Sequence, residues 1–335
     1  MSSWIRDNTL NWIQMIAVKV LKSGPVPKHV AIIMDGNRRY ANKNRVKKLE
    51  GHTKGFDKLT ETLHWCLELG IPEVTVYAFS IENFKRSKEE VNGLMELARK
   101  KFQNLLDERD KLMEHGVRIQ IIGNLSLLPE DMQKLIAEAM IITKDNNRAF
   151  LNVAFAYTSR DEITHAVQDV VKGLEREDIL PEDINEDLIS ECLYTRKSPE
   201  PDLLIRTSGE VRFSDFLLWQ TTCSCIYFTK VLWPEFRVWD LLAAVFYFQR
   251  CYTDIKAVKY NSVIFYMPLI ITFKGTNFVP LISGEPIQKE IFLSAFEGVF
   301  NRFSKIKQQF FTINFELRSS LIILSIISAI NYIFI

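Results

Sequence analysis

From residue 29 to residue 250 the chain alternates short apolar runs with longer stretches of helical periodicity, and nothing else in it restricts the fold as much. The apolar runs fall at 29–34, 73–79, 117–122, 149–156, 202–206 and 225–228, and the helical stretches at 51–69, 88–114, 129–144, 159–173, 185–193 and 235–249. Short continuous apolar runs are the pattern of strands covered on both faces. A strand that returns to the sheet through a helix lies parallel to the strand it left. The expectation is an α/β fold, a mainly parallel central sheet of about six strands flanked by helices. No internal repeat interrupts the pattern.

The first run, His29-Val30-Ala31-Ile32-Ile33-Met34, gives out into Asp35-Gly36-Asn37-Arg38-Arg39. Open α/β sheets hold ligands beyond the carboxyl ends of their strands. One carboxylate, a glycine and two arginine forks at such a place suit a diphosphate and a divalent metal. Asp-Gly and Asn are also ordinary turn residues, so this segment alone does not decide. Three more segments weigh in. Glu50-Gly51-His52-Thr53-Lys54-Gly55 opens an amphipathic helix; Ser80-Ile81-Glu82-Asn83-Phe84-Lys85-Arg86 follows the second apolar run; Arg206-Thr207-Ser208-Gly209-Glu210-Val211-Arg212-Phe213-Ser214 follows the fifth.

In this order and spacing the four segments resemble the cis-prenyltransferase family (undecaprenyl and dehydrodolichyl diphosphate synthases). Arg38 and Tyr40, where bacterial members have Gly and Trp, place the resemblance with the eukaryotic catalytic subunits. It covers about residues 1–250. It implies a transferase that adds isopentenyl diphosphate units in cis to farnesyl diphosphate. The product is a long-chain polyprenyl diphosphate for dolichol and protein glycosylation.

The same resemblance assigns roles. Asp35 binds Mg²⁺, and Gly36, Asn37, Arg38 and Arg39 cradle the departing diphosphate. His52 contacts phosphate or assists proton movement. Lys48 stands where bacterial relatives carry Arg, keeping the charge but losing the bidentate fork. Arg206, Arg212 and Ser214 match the positions that bind isopentenyl diphosphate. Ser80, Asn83 and Arg86 match the central motif, with Asn83 orienting or relaying the proton lost; an amide is a poor base, so a diphosphate oxygen is the other acceptor to consider. The product tunnel is expected between the sheet and the helices near 56–70 and 88–114, with Asp107-Glu108-Arg109-Asp110 breaking the apolar face of the second.

Two departures carry information. Bacterial members place a second metal-binding Glu where this chain has Cys225, and a thiol is a poor ligand for a hard cation. Homodimeric members carry an Arg-x-Gly motif that completes the neighbouring active site, and none occurs between 207 and 335. The resemblance therefore implies a hetero-oligomer with a partner subunit related to the Nogo-B receptor. That partner implies the endoplasmic reticulum membrane, at its cytoplasmic face.

Two other functions match part of this pattern. An aspartate-nucleophile phosphatase needs a second Asp two residues on, where this chain has Asn37. An inert scaffold or assembly-defective form of the same fold is the other; scaffold subunits lose the Asp and Arg set that is retained here.

Outside the central region the chain divides into an amphipathic interface helix over 1–25, the catalytic domain over 26–250 and an atypical apolar tail over 251–335. The first is too polar to span a bilayer; Trp4 and Trp12 suit the headgroup level, and packing on its own domain is the equal alternative. From 257 onward only 11 residues are charged, and the final apolar run reads as an alternative end or a membrane-associated one. Five cysteines show no disulfide framework and no zinc spacing. A net charge of +1 gives no electrostatic case for nucleic acid.

Overall fold

The computed structural model describes residues 10–261, with side chains described through residue 252. Trp4 and Ile5 of the expected interface helix, and the apolar tail beyond 261, lie outside the described residues. Six strands, β1 (His29–Ile33), β2 (Glu73–Ser80), β3 (Val117–Ile122), β4 (Ala149–Tyr157), β5 (Leu203–Arg206) and β6 (Cys225–Phe228), form one sheet. Every neighbouring pair is parallel, in the order β3-β4-β2-β1-β5-β6.

The strand order explains where a site can form. The chain leaves β1 toward β2, later enters β5, and β1 therefore has β2 on one side and β5 on the other. The two connections diverge at this switch point and open a crevice at the carboxyl ends of β1 and β5. Residues alternate across β1: Val30 and Ile32 join the larger core, Ala31 and Ile33 the smaller one on the other face. All of β1 is buried, which is why its sequence carries no polar alternation.

The helices are α1 (Trp12–Lys22), α2 (Asn37–Asn44), α3 (Lys48–Leu69), α4 (Lys88–Asp107), α5 (Arg109–His115), α6 (Glu130–Ile142), α7 (Ser159–Glu175), α8 (Glu186–Cys192) and α9 (Val238–Asn261). Three differ from the sequence pattern. α2 is an added helix, begun at residues that also suit a turn. The single helix expected over 88–114 is two, jointed at Glu108, where the acidic run broke the apolar stripe. α9 continues past 249 without a break.

α1 packs on its own domain and leaves part of its apolar surface exposed. Asn11 and Gln14 cap it reciprocally, each side chain accepting from the other's backbone N–H at 3.0 and 2.9 Å. Val18 is buried, Ala17 and Leu21 pack on the core, and Gln249 of α9 donates to Leu21 O at 2.7 Å. Trp12, Ile13, Ile16 and Val20 remain exposed on the outer side, Trp12 to 71%. Among the described residues no helix is long and apolar enough to cross a membrane.

Candidate active site

β1 delivers Asp35 to the crevice, and two neighbours pin its backbone: Asp35 O accepts from Thr207 Oγ1 at 2.7 Å and from Trp233 N at 3.0 Å. Gly36 then turns with φ +113°, and a Cβ there would stand 3.1 Å from Leu232 Cα and Trp233 N. Only glycine meets both demands. α2 starts at once, Tyr40 N donating to Gly36 O at 2.8 Å, with no side chain capping its first turn. Its leading N–H groups therefore have no intrahelical acceptor, a helix start suited to an anion. The donors expected of a strand-end loop are those of a helix terminus.

Two further glycines place α2 on α3. A Cβ on Gly51 would fall 2.4 Å from Asn37 O, and one on Gly55 2.2 Å from Asn37 Oδ1. No side chain fits between these helices, which brings His52 and Lys48 beside Arg38.

The charged side chains form two groups. In the first, Asp35 Oδ2 accepts from Arg206 Nη2 at 3.0 Å and from Arg39 Nη2 at 3.4 Å, while Gly36 N donates to Oδ1 at 2.7 Å. Arg206 is buried, its side chain 3% exposed, and its Nη1 donates to Arg212 O and Ser214 Oγ at 2.6 Å each. Arg39 donates to Ser208 O and Ser208 Oγ at 2.7 Å each and pairs with Glu210 at 3.1 Å; Glu210 also pairs with Arg212. Burial alone would raise the Asp35 carboxyl, but Arg206, Ser208 and Arg39 hold it below its ordinary value.

The second group centres on Glu90, which pairs with Arg86 at 3.0 Å, Lys48 at 3.2 Å and Arg38 at 3.9 Å. His52 lies among these cations. Its burial, with Arg86 and Arg38, pushes it down to about 4, so the ring is neutral at neutral pH.

Ser80 and Asn83 shape the turn between β2 and α4 before they do anything else. Asn83 Oδ1 accepts from Ser80 N at 3.1 Å and Ser80 Oγ from Glu82 N at 3.2 Å, closing the 3₁₀ turn Ile81–Lys85. Asn83 Nδ2 is then the end that can meet a ligand. The loop after β5 is wound tightly, with Ser208, Ser214, Asp215 and Leu217 at positive φ. Tyr77 braces it, stacking on Phe216 at 4.5 Å and donating to Ser214 O at 3.3 Å.

All the expected site residues thus lie along the carboxyl edge of the sheet. Glu90, Glu210, Ser208 and Tyr77 join them unforeseen. Cys225 does not: it opens β6 opposite Leu203, three residues and about 10 Å of strand below the edge where Arg206 sits, buried beside Cys251.

The crevice is built for anions. His52 Nε2 and Arg206 Nε are buried there without a hydrogen-bond partner; for the Arg206 donor that omission costs about 1–3 kcal/mol unless a ligand supplies an acceptor. Asp35, one third exposed, is the hard oxygen donor, and among the described residues no group of three or more His, Cys, Asp or Glu could enclose a metal. This donor set fits Mg²⁺, which keeps waters and completes its shell with substrate phosphate oxygens.

A fully parallel sheet with a carboxylate and arginine forks at its switch point defines an α/β enzyme that holds phosphorylated ligands. Residues 33–254 match a family described as “Putative undecaprenyl diphosphate synthase”. The dehydrodolichyl diphosphate synthase complex subunit of Homo sapiens is 59% identical over 257 residues, 77% of each chain. The tritrans,polycis-undecaprenyl-diphosphate synthase (geranylgeranyl-diphosphate specific) of Pyrococcus furiosus is 47% identical over 230 residues, 69% of this chain and 87% of that one. Among solved structures, lavandulyl diphosphate synthase from Lavandula x intermedia, in complex with dimethylallyl diphosphate, superposes with a TM-score of 0.63 at 34% identity, covering 67% of this chain and 95% of that one. The chain belongs to the cis-prenyltransferase family.

Proposed function

We propose that this prenyltransferase is the catalytic subunit of a dehydrodolichyl diphosphate synthase, extending farnesyl diphosphate by cis addition of isopentenyl diphosphate. The observation that carries the reading is the pair of cation groups at one crevice, one around Asp35 and one around Glu90. Two diphosphates need two such groups, set so that their carbon ends meet. The start of α2, with Arg38, Arg39 and His52, holds the allylic diphosphate. Arg206, Arg212 and Ser214 hold isopentenyl diphosphate, with Glu210 yielding its arginines to phosphate.

In each cycle the allylic carbon–oxygen bond breaks and its diphosphate departs with the electron pair. The isopentenyl double bond supplies the electrons for the new carbon–carbon bond, and a proton leaves the neighbouring carbon. Asp35 would hold Mg²⁺, which would supply positive charge beside the departing diphosphate. Asn83 Nδ2 orients the second substrate, and a diphosphate oxygen takes the proton, since Asn83 Oδ1 is committed to Ser80 N. An apolar cavity between α3 and the sheet, lined by Leu63, Leu67, Val74, Leu112, Ile119 and Leu151, supports a path for the growing chain.

Activity in a hetero-oligomer with a Nogo-B-receptor-like subunit is supported by the lack of an Arg-x-Gly between 207 and 335. Peripheral attachment to the cytoplasmic face of the endoplasmic reticulum is supported by the exposed Trp12, Ile13, Ile16 and Val20 of α1, with Lys19 and Lys22 in its last turn. The test is incorporation of radiolabelled isopentenyl diphosphate onto farnesyl diphosphate with Mg²⁺, with and without that partner, and Asp35→Ala as control. Long-chain product that requires the partner is expected. No incorporation by soluble protein in either condition overturns the reading.

A further inference from the structure

Glu90 has no part in the chemistry above, yet three cations from three elements meet on it. Lys48 comes from the first turn of α3, Arg38 from α2 and Arg86 from the end of the Ile81–Lys85 turn. Glu90 itself is held rigidly. Ser87 caps α4, its Oγ accepting from Glu90 N at 3.3 Å, and the Glu90 side chain is only 9% exposed. Arg38 and Lys48 are 52% and 56% exposed, long side chains that water would otherwise keep mobile.

The geometry leaves these cations available to a ligand. Arg86 commits one nitrogen, Nη1, to Glu90, and a guanidinium has five N–H donors. Lys48 commits one of its three N–H groups. Arg38, at 3.9 Å, is held by charge rather than by a hydrogen bond. Glu90 therefore aligns the three without using up their donors. Without its charge, three like charges would face each other across the carboxylate's place. Arg38 and Lys48 would turn to water, and each would have to be reordered when a diphosphate arrives.

We infer that Glu90 is a positioning residue for the allylic diphosphate, a built-in anion that assembles Arg38, Lys48 and Arg86 into one half of the site. This rests on the assignment of that half to the allylic substrate. Loss of assembly outweighs loss of a competing anion because two of the three cations have no other partner holding them in the crevice among the described ion pairs.

The test compares Glu90→Gln, Glu90→Asp and Glu89→Gln in the full chain with its partner. Glu89 lies in the same first turn of α4, is exposed, and controls for the charge change at the helix start. Farnesyl diphosphate KM and kcat, isopentenyl diphosphate KM, and calorimetric binding of inorganic diphosphate would be measured. Glu90→Gln is expected to raise the farnesyl diphosphate KM and weaken diphosphate binding about tenfold, equivalent to about 1.4 kcal/mol. The isopentenyl diphosphate KM should stay within about twofold, Glu90→Asp should recover part of the loss, and Glu89→Gln should match the wild type. An unchanged or tighter diphosphate affinity in Glu90→Gln overturns the inference, as does an equal loss for both substrates. Tenfold weaker diphosphate binding with the isopentenyl diphosphate KM raised instead would keep Glu90 as organiser and overturn the allylic assignment. A wild type without transferase activity would strike the function rather than the role of Glu90, which the calorimetry reads independently.

Discussion

Replacing Arg206 by lysine keeps one positive charge and removes the fork, and the structure sets the size of the loss. Two nitrogens of Arg206 serve three acceptors: Nη1 reaches Arg212 O and Ser214 Oγ at 2.6 Å, and Nη2 reaches Asp35 Oδ2 at 3.0 Å. A single ammonium cannot occupy both nitrogen positions. If it stays with Asp35, both anchors of the 207–214 loop are lost; if it stays with the loop, Asp35 is released. A hydrogen bond to a charged group contributes about 1.5–3 kcal/mol. The Asp35 pair is discounted because that carboxylate is one third exposed. The two loop anchors share one nitrogen and together amount to about 2–4 kcal/mol. That corresponds to about 30- to 1,000-fold in kcat/KM for isopentenyl diphosphate. Steady-state kinetics with isopentenyl diphosphate varied at saturating farnesyl diphosphate would measure it, with circular dichroism to establish folding. The farnesyl diphosphate KM should move by less than about threefold. A folded Arg206→Lys protein whose kcat/KM for isopentenyl diphosphate stays within about threefold of wild type would refute the fork argument.

Four further outcomes follow from the same geometry. Asp35→Asn keeps the shape of the carboxylate but loses its charge, so kcat should fall at least about a hundredfold at every Mg²⁺ concentration, whereas wild type stripped with a chelator should recover when Mg²⁺ is restored; recovery of Asp35→Asn by excess Mg²⁺ would contradict the assignment. His52 is held neutral, its pKa lowered from 6.5 to about 4 by burial and by Arg86 and Arg38. The unfolded chain therefore binds a proton that the folded one refuses: stability falls as pH drops from 6.5 toward about 4, by at most about 3 kcal/mol, and His52→Gln should flatten that slope in pH-dependent thermal melts. Deleting Glu108, Arg109 and Asp110 removes the joint between α4 and α5, three residues or about 4.5 Å of helix beside the Leu112 cavity wall. Chromatography of the products should show shorter chains, and an unchanged distribution would count against the tunnel path. Substituting both Trp12 and Ile16 by Ser should reduce sedimentation of the protein with phospholipid vesicles about tenfold while leaving its melting temperature unchanged, because both side chains already face solvent.

The sheet was legible because strands buried on both faces read as continuous apolar runs, and all six were found within a residue or so of their observed limits. α2 was not. Asn37-Arg38-Arg39-Tyr40-Ala41-Asn42-Lys43-Asn44 is polar nearly all round, and only Ala41 is buried, so no apolar stripe betrays a helix. What makes it helical is tertiary: Gly36 turns the chain at a φ other residues avoid, and Gly51 and Gly55 clear a seat for Asn37 on α3. The site cations were named because arginines at strand ends point to anions. Asp35 was named with them, but Glu90 was not, because it stands 42 residues from Lys48 in sequence, and no local pattern shows that the two will meet. Cys225 shows the opposite limit. Its position in the motif marked it as a departure at the metal, and only the strand register shows that it lies well below the site edge.

The charge balance of the crevice explains why carboxylates stand among its cations and why the proposed Mg²⁺ suits the same site. Arg38, Arg39, Lys48, Arg86, Arg206 and Arg212 are six cations, and Asp35, Glu90 and Glu210 are three carboxylates among them; His52 is neutral at neutral pH. The surplus is three positive charges. Without the carboxylates, six cations sharing one crevice would repel one another as the chain folded, and the half-buried ones would lose hydration with nothing in return. With them the empty site is stable but remains positive. Two diphosphates bring more negative charge than that surplus can match, and they must lie close enough for their carbon ends to react. The shortfall calls for a further cation placed between them. Asp35 lies where such a cation is needed, since it touches at once Arg39, proposed for the allylic side, and Arg206, proposed for the isopentenyl side.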